Sequence, residues 1–519
     1  MHHSSKAATG QARPISRRVF LAGAAAVAIA ACSSDATSSP STDPSAGTQP
    51  ETTGTPTSEP TPTTAGSTTS TQAPVELSGD PFTLGVASGD PDATSVVLWT
   101  RLAPDPLQGG GMPDEDFQVV WEVSDTADFA QIVVSGTEPT VAAHGHSVHA
   151  IAQLEQGSWF YRFRLGQYTS PSGTTRPAPP AGATVDSARF VVASCQNYAD
   201  GYYAAHRDIA EQAPDFTVWL GDYIYEGGGL PFSPNITERE HIGDEPTTVE
   251  AYRNRYGQYK TDPNLQASHA VCPWFIIWDD HEVENNYAGL NPQDPADAAA
   301  FEARRFAAYQ AWWEHQPVRL EPPTAADQEY RIYRDAQWGS LIELALLDGR
   351  QYRSDQACGD VTLSVDPPCP ETTDPTRTML GTEQETWLLD TLGTSNATWN
   401  VIGNQVILAD ATFNGAVLNY DQWDGYPVER ARILQAFADR QIPNLVVVTG
   451  DIHLAAVAQL RAGDRGTGTL VGAEFVTTSI SSDGLIGDSL TDVLKTFPDL
   501  VDAELAHRGY SLHTVTADK

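Results

Sequence analysis

Between residues 79 and 183 apolar and polar positions alternate over short runs with turn-forming residues between them. Residues 95–100, 118–123 and 159–163 each follow this period of two, which turns one face of a strand to a core and the other to water. No stretch here carries a helical period, so an all-β sandwich of immunoglobulin or fibronectin type is expected over 79–183. After residue 184 the pattern changes. Four continuous apolar runs, at 190–194, 216–221, 275–278 and 446–450, read as strands buried on both faces. Helical segments are expected between them. Residues 200–212 follow the first strand. Residues 295–316 form a long amphipathic helix with Phe301, Phe306, Tyr309 and Trp312 or Trp313 on its apolar side. Thr382-Glu383-Gln384-Glu385 reads as a capping box, and 428–439 is the helix feeding the last strand. Strands alternating with helices over 184–519 predict a layered α/β domain with a β-sheet core.

The ends of the chain change this picture. Ser16-Arg17-Arg18-Val19-Phe20-Leu21 has the twin-arginine form, and the small apolar residues that follow are too few to span a bilayer. Ile29-Ala30-Ala31-Cys32 resembles a lipoprotein cleavage box, which makes Cys32 the expected lipidation site and residues 1–32 a signal. Export by the twin-arginine machinery then leads to a surface lipoprotein tethered through Cys32, or to a secreted or periplasmic protein. Residues 33–78 are almost all Ser, Thr, Pro, Gly and Ala and cannot bury a core, so an extended linker is expected there. With 30 Lys and Arg against 67 Asp and Glu the chain is strongly acidic, which argues against a nucleic-acid-binding surface.

Each buried strand stops at a residue that binds a metal or moves a proton: Cys195, Asp222, the Asp279-Asp280-His281 run, and Asp451 with His453. Ligands of α/β sheets sit beyond the carboxyl ends of strands, so four such ends predict one polynuclear site. A thiolate and the Tyr225 phenolate suit iron, whereas carboxylates and amides suit calcium or magnesium. Two or more close cations suit phosphoryl transfer. There is no Gly-x-Ser-x-Gly elbow for a serine nucleophile. Cys358 and Cys369 flank a short Pro-rich loop and are expected to form a disulfide in an oxidising compartment. Cys272 reads as a core residue. His144, His146 and His149 have no acidic or Cys partner nearby in sequence and read as surface residues.

The motifs ASCQNY, GDYIYE, AYRNRYGQY, WDDHEVENNYAG, LDGRQYRSDQ, GNQV and VTGDIH, in this order, resemble the PhoD family of alkaline phosphatases. That family belongs to the calcineurin-like metallophosphoesterases. The resemblance covers nearly all of the chain after the linker, and implies a small N-terminal β-sandwich ahead of a layered metallophosphoesterase domain. It implies Fe(3+) and Ca(2+) as cofactors. Cys195, Asp222 and Tyr225 would hold the iron, with Asp222 bridging to a second metal. Asp280, Asn286, Asp451 and His453 would complete the ligand set, with Gln405 a further candidate. His281 would be the proton donor, Asn286 would also touch phosphate, and Arg239, Arg350 and Arg353 are the candidate phosphate-binding cations. Members of the family run on past the strand containing Gly509-Tyr510, whereas this sequence stops at Lys519, so an element at the pocket rim is expected to be missing.

The resemblance implies hydrolysis of phosphate esters by in-line attack of a metal-bound oxide or hydroxide, with no covalent enzyme intermediate. Small phosphomonoesters and diesters, or teichoic acid-like cell-wall polymers, are the first class of substrate. A calcium-dependent phospholipase D acting on phospholipid head groups is the alternative within the same chemistry. A non-catalytic surface lipoprotein that binds metal or carbohydrate is the alternative from another class.

Overall fold

The computed structural model describes residues 74–227, 239–359, 366–483, 494 and 496–519. The signal, Cys32 and nearly all of the linker therefore lie outside the described residues. The architecture is mixed α/β and rich in sheet. Among the described residues, no helix is long and apolar enough to cross a membrane.

One seven-stranded sheet has the order β19-β9-β10-β11-β1-β2-β5. Its centre is β9 (Ser187–Ala193), β10 (Phe216–Trp219), β11 (Pro273–Ile276) and β1 (Ala87–Gly89), all parallel. Its flanks are antiparallel: β19 (Ser511–Thr516) on one side, β2 (Ser95–Arg101) and β5 (Ser147–Gln153) on the other. The expected boundary at 183/184 is thus bridged by backbone hydrogen bonds, because β1 pairs with β11. A five-stranded sheet carries β3 (Phe117–Ser124), β4 (Ile132–Thr140), β6 (Trp159–Leu165), β7 (Tyr168–Thr169) and β8 (Gly173–Thr175). Its Val119, Trp121 and Phe163 share one apolar cluster with Val96 and Leu98 of β2 and Val148 and Ala150 of β5.

The other seven-stranded sheet has the order β12-β13-β14-β15-β17-β16-β18. Its strands are β12 (Arg334–Trp338), β13 (Ile342–Leu346), β14 (Trp399–Asn404), β15 (Leu445–Thr449), β16 (Ala455–Ala462), β17 (Thr469–Val476) and β18 (Leu500–Glu504). Val218 and Leu220 near β10 lie in one core cluster with Leu344, Leu346, Val401 and Val448, so the two large sheets share a core. Helices α5 (Gly381–Thr394) and α6 (Pro427–Arg440) cover the second sheet through Leu388, Leu392, Ile433 and Phe437. Helices α1 (Ala204–Gln212), α2 (Val249–Lys260), α3 (Pro263–Val271) and α4 (Ala298–His315) accompany the first.

Three local expectations are corrected. Helix α1 begins at Ala204, so residues 200–203 precede it as turn and coil. Helix α5 begins at Gly381, which puts Thr382 inside it and leaves no capping box. Its entrance is served instead by Glu429 of α6, which accepts from the backbone N–H groups of Met379 and Leu380. The three histidines are not surface residues as a group: His146 is buried, and His149 stacks on Trp313 of α4 at 4.2 Å. His149 Nε2 also donates to the Gln316 carbonyl at 2.9 Å, so this imidazole helps hold β5 against the end of α4.

Candidate metal centre

The parallel strands of both large sheets deliver their chemistry just beyond their carboxyl ends. Cys195 follows β9, Asp222 follows β10, Asp279 and Asp280 follow β11, and Asp451 follows β15. Glycine makes the convergence possible. A Cβ on Gly221 would lie 2.4 Å from the Asp279 backbone nitrogen, and one on Gly450 would lie 2.5 Å from Ser194 Oγ. These two close approaches bring Asp222 to Asp279 and Asp451 to Cys195. At these candidate residues the chain takes a left-handed backbone, with φ of 59° at Cys195, 56° at Asp222, 54° at Asn286, 64° at Asp451 and 58° at His453. Such a conformation costs a non-glycine residue about 1–2 kcal/mol, and strain of this kind collects at functional sites.

Three groups of side chains each place ligand atoms within 4.8 Å of one another: Cys195 with Asp222 and His453, Asp222 with Asp280 and His281, and Asp279 with Asp280 and Asp451. Asp222 and Asp280 each belong to two groups, which is the arrangement of bridging carboxylates. Tyr225 OH donates to Asp222 Oδ2 at 2.9 Å and lies 3.0 Å from His453 Nε2. His453 Nδ1 donates to the Asp483 carbonyl at 2.7 Å, which leaves the Nε2 lone pair directed away from that bond, as metal-binding imidazoles require.

The donor set fits cations. Asp222 Oδ1, Asp279 Oδ2 and both polar atoms of the Asn286 amide are buried without a hydrogen-bond partner. Such atoms cost free energy unless something else satisfies them. Burial, with neighbouring carboxylates adding to it, pushes Asp279 well above the usual carboxylate range and Asp451 up to about 7. Burial pushes Asp222 up too, and His281 only partly offsets it. The Cys195 thiol is raised by burial first and by Asp222 second. Burial also works against Asp280, but Arg350 and His281 outweigh it and hold its carboxyl below the ordinary value. His281 is raised although burial lowers it, because Glu226, Asp280 and Asp222 surround it. Crowded, partly unsatisfied oxygen donors of this kind are what hard cations bind. The thiol, phenol and imidazole beside them suit a softer, redox-capable ion.

Several expected residues are engaged by other groups of the protein. Arg350 is 0% exposed, its guanidinium bound to both oxygens of Asp421 at 2.8 and 2.9 Å and to Asp279. It also lies 3.6 Å from Asp280 and from Asp451, so every nitrogen of its guanidinium faces a carboxylate. Arg353 is also buried, with Nη1 2.5 Å from Asp421 Oδ1, but its Nη2 has no hydrogen-bond partner. Arg239 sits with its guanidinium 3.7 Å from the ring centre of Tyr198 and donates to the Gly201 carbonyl at 2.8 Å. Gln405 spends its amide on the carbonyls of Trp278 and Leu347 and on the Gly349 N–H. Cys358 and Cys369 are disulfide-bonded, and Cys272 is a buried free thiol.

Asp279, part of the strand-end run expected from the sequence, joins the candidate groups beside Asp280. Other contributors are not evident from the motifs. Glu282 accepts from the backbone N–H groups of Asp222, Tyr223 and Asp279 at 2.9, 2.7 and 2.9 Å, tying two ligand loops together. Gln422 donates to Asp451 Oδ2 at 2.7 Å. Glu282 stands inside a quoted motif, but nothing in its spacing says that it faces backbone rather than metal.

Comparisons with known proteins place most of the chain. The family model described as PhoD-like phosphatase matches residues 190–519, and that of the PhoD-like phosphatase N-terminal domain matches 67–179. The chain is 44% identical over 451 residues to alkaline phosphatase D of Bacillus subtilis (strain 168), covering 85% of this chain and 76% of that protein. A solved structure of PhoD superposes with a TM-score of 0.81 at 44% identity, over 85% of this chain and 86% of that one.

Proposed function

The chain belongs to the PhoD-like phosphatase family, and from that premise we propose that its strand-end cluster is the catalytic centre of a metal-dependent phosphoesterase acting on phosphomonoesters and diesters. The observation that carries the proposal is the sharing of Asp222 and Asp280 between adjacent ligand groups, with orphaned oxygens pointing to absent partners. Cys195, Asp222, Tyr225 and His453 would hold a ferric ion. Asp279, Asp280, Asn286 and Asp451 would hold calcium. When bound, such cations activate water and stabilise the charge on a phosphoryl group in transfer. The chain's own part is to fix the donors and to manage the proton. Glu282 and Arg350 hold the loops, and His281 stands beside Asp222 and Asp280 as the donor to the departing oxygen.

The finer architecture belongs to the same reading: a layered metallophosphoesterase domain over 184–519, preceded by a β-sandwich over 79–183. The shared core of the two large sheets and the cluster joining β3 and β6 to β2 and β5 support it. Twin-arginine export and a lipid anchor on Cys32 are proposed on the N-terminal sequence, and would keep Cys358–Cys369 oxidised.

The test loads the purified protein with iron and calcium and assays p-nitrophenyl phosphate, bis-p-nitrophenyl phosphate and phosphatidylcholine side by side, with elemental analysis of the active protein. Hydrolysis of the first two, abolished by EGTA and restored by calcium, is expected. Preference for phosphatidylcholine would move the substrate to phospholipid head groups. No hydrolysis of any of the three would overturn the reading, and active protein holding only zinc or magnesium would overturn the metal assignment alone.

A further inference from the structure

Glu226 belongs to none of the ligand groups, yet it is 7% exposed and lies beside them. Its Oε2 accepts from His281 Nδ1 at 2.6 Å, and its Oε1 accepts from the Asn285 backbone N–H at 2.8 Å. The carboxylate therefore spans two loops, the one after β10 that carries it and the one after β11 that carries His281. Its own backbone is pinned as well: Arg255 of α2 donates to the carbonyls of Tyr225 and Glu226. The imidazole is held on a second side by the Tyr225 ring, with centroids 4.1 Å apart and planes 28° from parallel. With its face against Tyr225 and Nδ1 committed to Glu226, the ring has one nitrogen left for chemistry, Nε2.

We propose that Glu226 is the positioning residue for His281, orienting the ring so that the Nε2–H is presented to the oxygen that leaves phosphorus. The inference rests on the phosphoesterase reading above. As the P–O bond breaks, its electron pair stays on the leaving oxygen, which takes the proton from Nε2. The neutral imidazole keeps Nδ1–H on Glu226, and water returns a proton to Nε2. Glu226 itself gains and loses nothing. A carboxylate that merely stabilised the fold would act on every substrate alike. One that aims a proton donor matters most where the leaving group needs the proton, for an alkoxide far more than for p-nitrophenolate.

The experiment compares wild type and Glu226→Gln, both metal-loaded, on ethyl phosphate and on p-nitrophenyl phosphate. Gln has an acceptor at only one of the two carboxylate positions and a donor NH2 at the other, and it carries no charge, so the pair of bonds to His281 and Asn285 cannot both be kept while side-chain volume is. The expected result is a fall in kcat of about 30- to 100-fold on ethyl phosphate, within the span of general-acid effects, and of only about threefold on p-nitrophenyl phosphate, with KM and metal content little changed. In a His281→Ala background the same substitution should cost nothing further on ethyl phosphate. Equal losses on both substrates, or a full extra loss without His281, would overturn the role of Glu226. If Glu226→Gln fails to fold, Glu226→Asp keeps the charge but withdraws it by one methylene, and the same substrate comparison decides. A wild-type protein inactive on both esters would overturn the phosphoesterase reading itself, a result distinct from any of these.

Discussion

Replacing Arg350 by Met keeps an unbranched stem of similar length and removes the guanidinium. Its contacts are with both oxygens of Asp421 at 2.8 and 2.9 Å, with Asp279, and at 3.6 Å with Asp280 and Asp451, all in a place of 0% exposure. Removing one partner from a buried ion network costs about 3–5 kcal/mol, because the other partner is left as an uncompensated charge. Arg353 keeps a 2.5 Å contact with Asp421, which puts the expected loss near the lower end, about 3 kcal/mol. At roughly 1 °C per kcal/mol for a folded unit of this size this is a fall in Tm of roughly 3–4 °C. Circular-dichroism melts of the metal-loaded protein read it, alongside kcat and KM for p-nitrophenyl phosphate. Arg350→Met and Asp421→Asn combined should cost less than the sum of the two singly, with a coupling of about 1–3 kcal/mol, because both remove the same ion pair. The reasoning fails if Arg350→Met melts within about 1 °C of wild type while KM alone rises steeply, for that is how a phosphate-binding arginine behaves.

Two further predictions concern stability away from the centre. Cys358→Ser with Cys369→Ser opens a loop with a sequence separation of 11, and chain entropy puts the cost at about 3 kcal/mol; an unchanged denaturant midpoint would show that the crosslink constrains little in the unfolded chain. His206 is fully buried between Ser268 and Gln196, at 2.8 and 2.7 Å, and burial lowers its pKa to about 3. The unfolded chain, with a His near pKa 6.5, then binds the extra proton, so this contribution is complete above pH 6.5 and is lost as the pH falls toward 3 at about 1.4 kcal/mol per unit. The stability gap between wild type and His206→Gln should therefore narrow on acidification below pH 6.5, and a gap independent of pH would contradict the assignment.

Strands and their ends were legible in the sequence because both are local. Apolar runs of β-branched and aromatic residues set β9, β10, β11 and β15, and the residues just past each run, Cys195, Asp222, Asp279 with Asp280, and Asp451, are the ones whose donor atoms converge. The amphipathic period of α4 and the pairing of Cys358 with Cys369 were equally open to reading along the chain. The tertiary structure alone decided which charges meet. Arg350 has the local look of a phosphate ligand, and its role is set by Asp421 and Asp279, each 71 residues away. Glu226 stands in the GDYIYE motif with no partner visible along the chain, yet it faces His281 across 55 residues. Glu429 replaces a capping box from 50 residues beyond Met379, and His149 is covered by Trp313. Nor does local pattern show that β1 would pair with β11 and carry one sheet across the expected domain boundary. The physical reason is one of range. Hydrophobic period and turn chemistry act over a few residues. The partner of a buried charge is fixed only once sheets have packed face to face, and glycines such as Gly221 and Gly450 have let their ends touch.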